Sequence, residues 1–207
     1  MLGRQHRRGI AAVALCLTAT PAWAHHVMGG KLPATFGEGF LSGLAHPIIG
    51  PEHLGFLLAV GIVVGAGGLK LAMCGIFIAA MAIGAATHVS GTAIPGTEIL
   101  IALTALLAGV LIARGRELPL SAWSALFAVA GFFHGYAFGE SIAGAERAPL
   151  AAYLFGLVIV QSALAIGVAI IAQRLRLHMN QMAPRLIGAV IIGIGFTVLI
   201  GQLVPAV

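Results

Sequence analysis

Long apolar stretches, interrupted by glycine, proline and a few charged residues, make up most of the sequence. A helix needs about 20 apolar residues to cross a bilayer, and on this criterion we expect six membrane-spanning helices. Their predicted ranges are 36–67, 70–90, 98–113, 119–140, 149–173 and 185–205. The pattern therefore predicts an all-α fold, an integral membrane bundle of six transmembrane helices joined by short loops.

The first predicted span is too long for one straight crossing. At 1.5 Å per residue it would extend roughly 48 Å, whereas the hydrocarbon core of a bilayer is about 30 Å thick. Pro47 and Pro51 each lack a backbone N–H, and Gly50 lies between them. We therefore expect this helix to break at the sequence HPIIGPEH, with the freed backbone groups facing protein or a cavity.

The composition agrees with a membrane location. Hydrophobic residues make up 60% of the chain and charged residues only 8%, against about 25% in soluble domains. The net charge of +5 comes from basic residues near the ends of the predicted spans, where they set orientation in the membrane. A nucleic-acid partner is therefore not expected.

The N-terminal segment has the features of a secretory signal peptide. Three arginines precede a short apolar run, and the sequence AWA at 22–24 fits the A-x-A cleavage pattern. We expect residues 1–24 to be removed, which leaves 25–207 as one transmembrane domain. An uncleaved membrane anchor is the alternative.

Removal of a signal peptide would leave the mature N-terminus outside the cell membrane. The loops near 68–70, 114–118 and 174–185 then lie in the cytoplasm. They hold or adjoin most of the basic residues, namely Lys70, Arg114, Arg116, Arg174, Arg176 and Arg185. Only Lys31 and Arg147 would lie outside. This is the positive-inside distribution expected of a multi-pass protein of the bacterial inner membrane.

Polar side chains that can bind a metal lie inside the first span. His46, Glu52 and His53 occupy an otherwise apolar segment, where a charged group costs roughly 2.5 to 3.5 kcal/mol. The expected break lies between His46 and the other two, so it can fold His46 back toward them. An unbroken helix would also place His46 and His53, seven residues apart, on one face. Imidazole nitrogen and carboxylate oxygen together suit nickel, cobalt, copper or zinc. We therefore expect a transition-metal site here.

A second His/Glu group lies in the fourth span, within the sequence FHGYAFGE. His134 and Glu140 are about two helical turns apart, with glycines beside them. A single buried histidine is more often an interhelical hydrogen-bond donor than a ligand, but two such groups in one chain favour shared coordination. Further candidates near the outer side are His25, His26, His88 and Glu98. Gln161 and Gln173, by contrast, are expected to make interhelical hydrogen bonds.

The motifs His46-x5-Glu52-His53 and FHGYAFGE, in this order, resemble those of the HupE/UreJ family of bacterial nickel permeases. The likeness covers essentially the whole chain, including the signal peptide and the six spans. It implies uptake of Ni²⁺ or Co²⁺ for metalloenzymes, with the ion as substrate and no resident cofactor. Glu52 stands where the family usually has Asp, which keeps the charge but moves the oxygens and so bears on metal preference.

The leading prediction is a secondary transporter, since the chain has no G-x-x-x-x-G-K-[ST] motif for ATP. An enzyme is not expected, because neither H-E-x-x-H nor G-x-S-x-G occurs. The alternative is a membrane metal-binding accessory protein for metalloenzyme maturation, which would need the same ligands. Expected partners are a divalent metal ion and the lipid bilayer, and also a second copy of the chain or other membrane subunits. The six spans also permit two inverted repeats of three.

Overall fold

The computed structural model describes residues 31–204, which form seven α-helices and no β-strand. In chain order these are α1 Phe36–Ile49, α2 Pro51–Ala66, α3 Ala72–Val89, α4 Thr97–Ala113, α5 Leu120–Glu140, α6 Arg147–Arg174 and α7 Met182–Leu203. The predicted all-α class is confirmed for this part of the chain. The first and last residues of each predicted span lie within three residues of the first and last residues of an observed helix or helix pair. The predicted signal peptide 1–24, together with His25 and His26, lies outside the described residues.

Several helices have the length and composition of membrane spans. By these criteria α3, α6 and α7 can each cross a membrane, and α4 is a shorter apolar helix. The pair α1 and α2 passes the same test together, which makes four candidates among the described residues if the pair is one span. Large apolar side chains such as Leu41, Ile83, Phe155 and Val190 are exposed on the bundle surface, as expected where lipid surrounds it. The protein is therefore a multi-pass membrane protein.

The boundary between α1 and α2 falls inside the sequence HPIIGPEH. Gly50 alone separates the two helices, which meet at an angle of 77°. α1 continues through Pro47 and ends at Ile49, and the backbone at Gly50 is extended, with φ −77° and ψ 106°. Pro51 is the first residue of α2, where a missing N–H removes no helical hydrogen bond. The local sequence thus explains both the end of one helix and the start of the next.

Three extensive helix pairs build the bundle. The segment α1–α2 packs along α6, α3 packs along α5, and α4 packs along α7. In the last pair Gly109 lies against Ile192, and Gly188 lies against Ala113, so the two helices run antiparallel. Because lipid is as apolar as the side chains, close approach of backbones at such small residues is what holds membrane helices together.

The other two pairs run parallel. Gly39 lies against Pro149 near the start of α6, and Gly65 lies against Ala169 near its end, so α1 and α2 follow α6 in the same direction. In the same way, α5 follows α3, with the glycines at 131, 135 and 139 lying against Phe77, Met81 and Ala85 in that order. The direction of every helix relative to its main partner is therefore defined.

The two ends of the bundle differ in charge. The loops after α2, α4 and α6 share one end, where the Arg185 guanidinium donates to the Ala113 carbonyl and the Gln173 amide donates to the Leu69 carbonyl. We refer to this as the basic end, because it holds Lys70, Arg114, Arg116, Arg174, Arg176 and Arg185. The loops predicted to be cytoplasmic therefore lie together. At the opposite end the Tyr136 hydroxyl bonds the loop between α3 and α4.

Gly109→Ala should destabilise the bundle. An added methyl group would lie 2.7 Å from the Ile192 backbone nitrogen, so α4 and α7 would have to separate. Overpacking of this kind costs about 1–3 kcal/mol. The matched control is Gly193→Ala on α7, where the added carbon meets no neighbour and stability should stay equal or rise slightly. Thermal unfolding in detergent measures both variants, and equal midpoints would contradict the close contact.

Candidate metal site

Four of the predicted ligands come together inside the bundle. His46 lies in the last turn of α1, Glu52 and His53 lie in the first turn of α2, and His134 lies in α5. None of the four is more than 5% exposed. The ring centres of His46 and His53 are 6.1 Å apart, and those of His53 and His134 are 4.9 Å apart. We refer to these four residues as the histidine cluster.

A chain of polar contacts links Thr104, His134 and His53. The Thr104 hydroxyl donates to the Ile101 carbonyl at 2.8 Å, and its oxygen lies 3.4 Å from His134 Nε2. The Nδ1 atoms of His53 and His134 are 2.9 Å apart, so one of these two rings donates its Nδ1–H to the other. The two imidazoles are therefore held together between α2 and α5.

His53 also faces a carboxylate. His53 Nε2 is 3.6 Å from Glu52 Oε1. An imidazole nitrogen and a carboxylate oxygen are both common ligands of transition metals. Two ligand atoms bound to one metal at about 2.1 Å each would be about 3.0–3.4 Å apart, which is close to the observed separation. The Glu52–His53 pair is therefore the part of the cluster best suited to a cation.

His46 is oriented by two hydroxyl groups. Its Nδ1 lies 2.9 Å from the Tyr153 hydroxyl and 3.2 Å from the Ser141 hydroxyl. Both hydroxyls also lie within hydrogen-bond distance of the Phe138 carbonyl oxygen, at 3.1 and 2.9 Å, and 2.9 Å from each other. This group of polar contacts holds the His46 ring through Nδ1. Metal-binding histidines are commonly held in this way by a partner on the other ring nitrogen.

The cluster is a series of pairwise contacts. Within residues 31–204 no three His, Cys, Asp or Glu side chains converge closely enough to hold a metal ion as they stand. Side-chain rotation is therefore needed before three or more of these groups can share one ion.

The other predicted ligands lie toward the end opposite the basic end. Glu140 is exposed at the end of α5, about 9 Å along the helix axis from His134. His88 is in the last turn of α3, with its ring centre 4.5 Å from that of Tyr136. Glu98 is half-buried in the first turn of α4. Glu140 therefore lies about two turns from His134, as the sequence spacing indicated, and its side chain is exposed.

Three contacts of the cluster were not predicted from the sequence. Thr104, Ser141 and Tyr153 hold the histidine rings through their hydroxyl groups. They lie in three different parts of the chain and belong to no shared motif. The only signal in the sequence is that hydroxyl side chains are uncommon in these apolar helices, and that does not specify a partner.

The fold and the site define a multi-pass α-helical membrane protein with imidazole and carboxylate groups buried between its helices. The family model described as "HupE / UreJ protein" matches residues 13–198. The chain therefore belongs to the HupE/UreJ family, as its motifs indicated. It is 27% identical over 191 residues to Protein HupE of Rhizobium leguminosarum bv. viciae, which covers 90% of this chain and 95% of that protein. No solved structure matches the chain.

Tyr153→Phe should weaken metal binding by the cluster without unfolding the protein. The change removes the hydroxyl that holds His46 Nδ1 but keeps the ring that packs beside it. Loss of such a partner usually lowers metal affinity about 10- to 100-fold. Equilibrium binding of radioactive nickel to detergent-purified protein measures the effect. Tyr136→Phe, which loses hydroxyl bonds far from His46, is the control and should bind like wild type.

Proposed function

We propose that this protein is a secondary transporter that takes up nickel ions, and also cobalt, across the bacterial inner membrane. The observation that carries the proposal is the histidine cluster itself, three imidazoles and one carboxylate buried between apolar helices. Groups of this kind are costly at membrane depth and usually line an ion or substrate pathway. Membership of the HupE/UreJ family supports nickel or cobalt as the ion, since nitrogen and oxygen donors suit both.

The proposal includes six spans, with α1 and α2 forming one broken span. Gly39 near the start of α1 contacts Pro149, whereas Gly65 near the end of α2 contacts Ala169. The two contacted positions are about 30 Å apart along α6, which is about the thickness of the hydrocarbon core. A re-entrant loop would return to the side from which it entered. The separation therefore favours one complete crossing.

Two inverted halves of three spans each are a further part of the proposal. The spacing Gly-x-x-His-x5-Glu begins at Gly43 and again at Gly131. In both places the glycine lies against the backbone carbonyl of an aromatic residue, Tyr153 in one half and Phe77 in the other. The histidine ring of each motif lies 6.2 or 6.0 Å from that aromatic ring, at 66° or 67° between the planes. The local packing is therefore repeated.

The helix pairs follow the same relation. In two inverted halves, α1–α2 would correspond to α5, α3 to α6, and α4 to α7. The pair of α1–α2 with α6 then corresponds to the pair of α5 with α3, and both pairs are parallel. The pair of α4 with α7 corresponds to itself, which requires two antiparallel helices, as observed. Inverted repeats are a common architecture of secondary transporters, with the substrate site where the repeats meet. This arrangement favours a transporter over an accessory protein that only binds metal.

The direction of transport follows from charge. With the basic end in the cytoplasm, the outer side contains Glu98 and Glu140, and a cation enters from there. Moving a divalent ion inward across about 100 mV gains about 4.6 kcal/mol, so ion flow needs no ATP-driven subunit. The reaction is movement of an ion without covalent chemistry, so the proposal assigns neither an enzyme activity nor a resident cofactor.

Radioactive nickel uptake into proteoliposomes with an inside-negative potential tests this proposal. We expect accumulation by the wild type and at least a tenfold fall in initial rate for His46→Ala, Glu52→Ala and His134→Ala. His178→Ala, which removes an exposed imidazole at the basic end, is the matched control and should transport normally. A wild type that binds nickel but accumulates none, with or without a pH gradient, would instead favour the accessory protein.

Glu52→Asp should change metal preference while transport continues. The shorter side chain keeps the charge but withdraws the carboxylate from His53 Nε2, now 3.6 Å away, by about one carbon–carbon bond. The ratio of nickel to cobalt uptake, measured in competition, should therefore shift by severalfold. Glu52→Gln removes the charge and should abolish uptake of both ions. An unchanged ratio in Glu52→Asp would mean that this carboxylate does not select the ion.

A further inference from the structure

Gln161, near the middle of α6, is a buried polar residue that the proposed mechanism does not use. It is 0% exposed, and neither its amide nitrogen nor its amide oxygen has a hydrogen-bond partner in the described part of the chain. The interhelical hydrogen bond expected from the sequence is therefore wrong for Gln161, whereas Gln173 donates to the Leu69 carbonyl in the loop after α2. An amide without a partner in a membrane interior is energetically costly, so its presence calls for a ligand.

Gln161 faces the break between α1 and α2. Four residues earlier, the Leu157 nitrogen is 3.1 Å from where a Cβ at Gly43 would lie, and four residues later the Ala165 carbonyl is 2.8 Å from the same point at Gly61. Residues four apart lie on one face of a helix, so Gln161 shares this face. The stretch between Gly43 and Gly61 contains the end of α1 and the start of α2.

The break between α1 and α2 supplies further oxygen ligands for a cation. Because Pro47 and Pro51 have no N–H, the carbonyls of Gly43 and Pro47 lack the donor that a helix normally supplies four residues later. Amide and carbonyl oxygens are neutral ligands that can replace part of the water shell of a divalent cation. The Gln161 side chain on α6 and the freed carbonyls at the break therefore offer the same kind of ligand, a neutral oxygen.

The position along α6 also fits an inward path. Tyr153, which holds His46, lies eight residues before Gln161, or about 12 Å nearer the outer end. An ion held by imidazoles is held strongly, and nickel more than most divalent metals. Conduction requires that a tight site be followed by one weak enough to release the ion. Oxygen ligands beyond the histidines meet that need.

We propose that Gln161, together with the carbonyl oxygen of Pro47, forms a second and weaker binding site that receives the divalent cation from the histidine cluster. This inference rests on the proposed transport function. The histidine cluster is needed both to bind the ion first and to pass it on. Gln161 is needed only for passage of the ion, so its loss should leave the first binding step unchanged.

Gln161→Leu tests the proposal, since leucine has a similar volume and no polar atoms. We expect nickel binding in detergent to equal that of wild type, thermal stability to be equal or higher, and the initial uptake rate in proteoliposomes to fall about tenfold. Gln173→Leu, on the same helix but bonded to the Leu69 carbonyl, is the matched control and should retain uptake. Wild-type uptake by Gln161→Leu would overturn the proposal.

Gln161→Asn covers the case in which leucine unfolds the protein. Asparagine keeps a neutral amide oxygen near the same place, so uptake should remain within about threefold of wild type. If Gln161→Asn folds but loses uptake as completely as His46→Ala, the second site is overturned. Failure of the wild type to accumulate nickel would instead overturn the transport function itself, so the two failures are distinct.

Discussion

The absence of water in the hydrocarbon core is the constraint on which this structure depends. Backbone and side-chain polar groups there need partners other than water, either within the protein or in a bound ligand. The helices satisfy the backbone, except where prolines remove donors at the end of α1. The buried imidazoles satisfy one another and the hydroxyls of Thr104, Ser141 and Tyr153. The break and the histidine cluster both contain polar groups that cannot face lipid. Both therefore lie in the same part of the protein interior.

Much of the fold was predictable, because membrane thickness and apolar runs limit where helices begin and end. The predicted spans coincide with observed helices, and the boundary at Gly50 lies in the sequence that proline chemistry indicated. The meeting of His46, Glu52 and His53 was also predictable, since the three lie within eight residues of one another around that boundary. These features depend on local sequence alone, which is what one sequence read by itself can reveal.

Most contacts between distant helices were beyond the sequence. Which helix faces His46 depends on the packing of α6 against α1, and the small residues that direct this packing occur in every helix. The motifs did indicate that His134 lies with the first His/Glu group, and its ring centre is 4.9 Å from that of His53. Gln161 was expected to have a partner because most buried amides do. Where no motif linked two helices, the sequence alone did not identify the residues that meet.

Gly50 is a position at which the structure tolerates no larger side chain without a shift of its neighbours. Its backbone angles are accessible to any residue, so conformation alone does not demand glycine there. However, a Cβ at this position would lie 2.6 Å from the His53 ring and 3.4 Å from the Glu52 carboxylate. Any other residue would displace these two side chains of the histidine cluster. The helix boundary and the site thus share one residue, and a substitution that alters the first also alters the second.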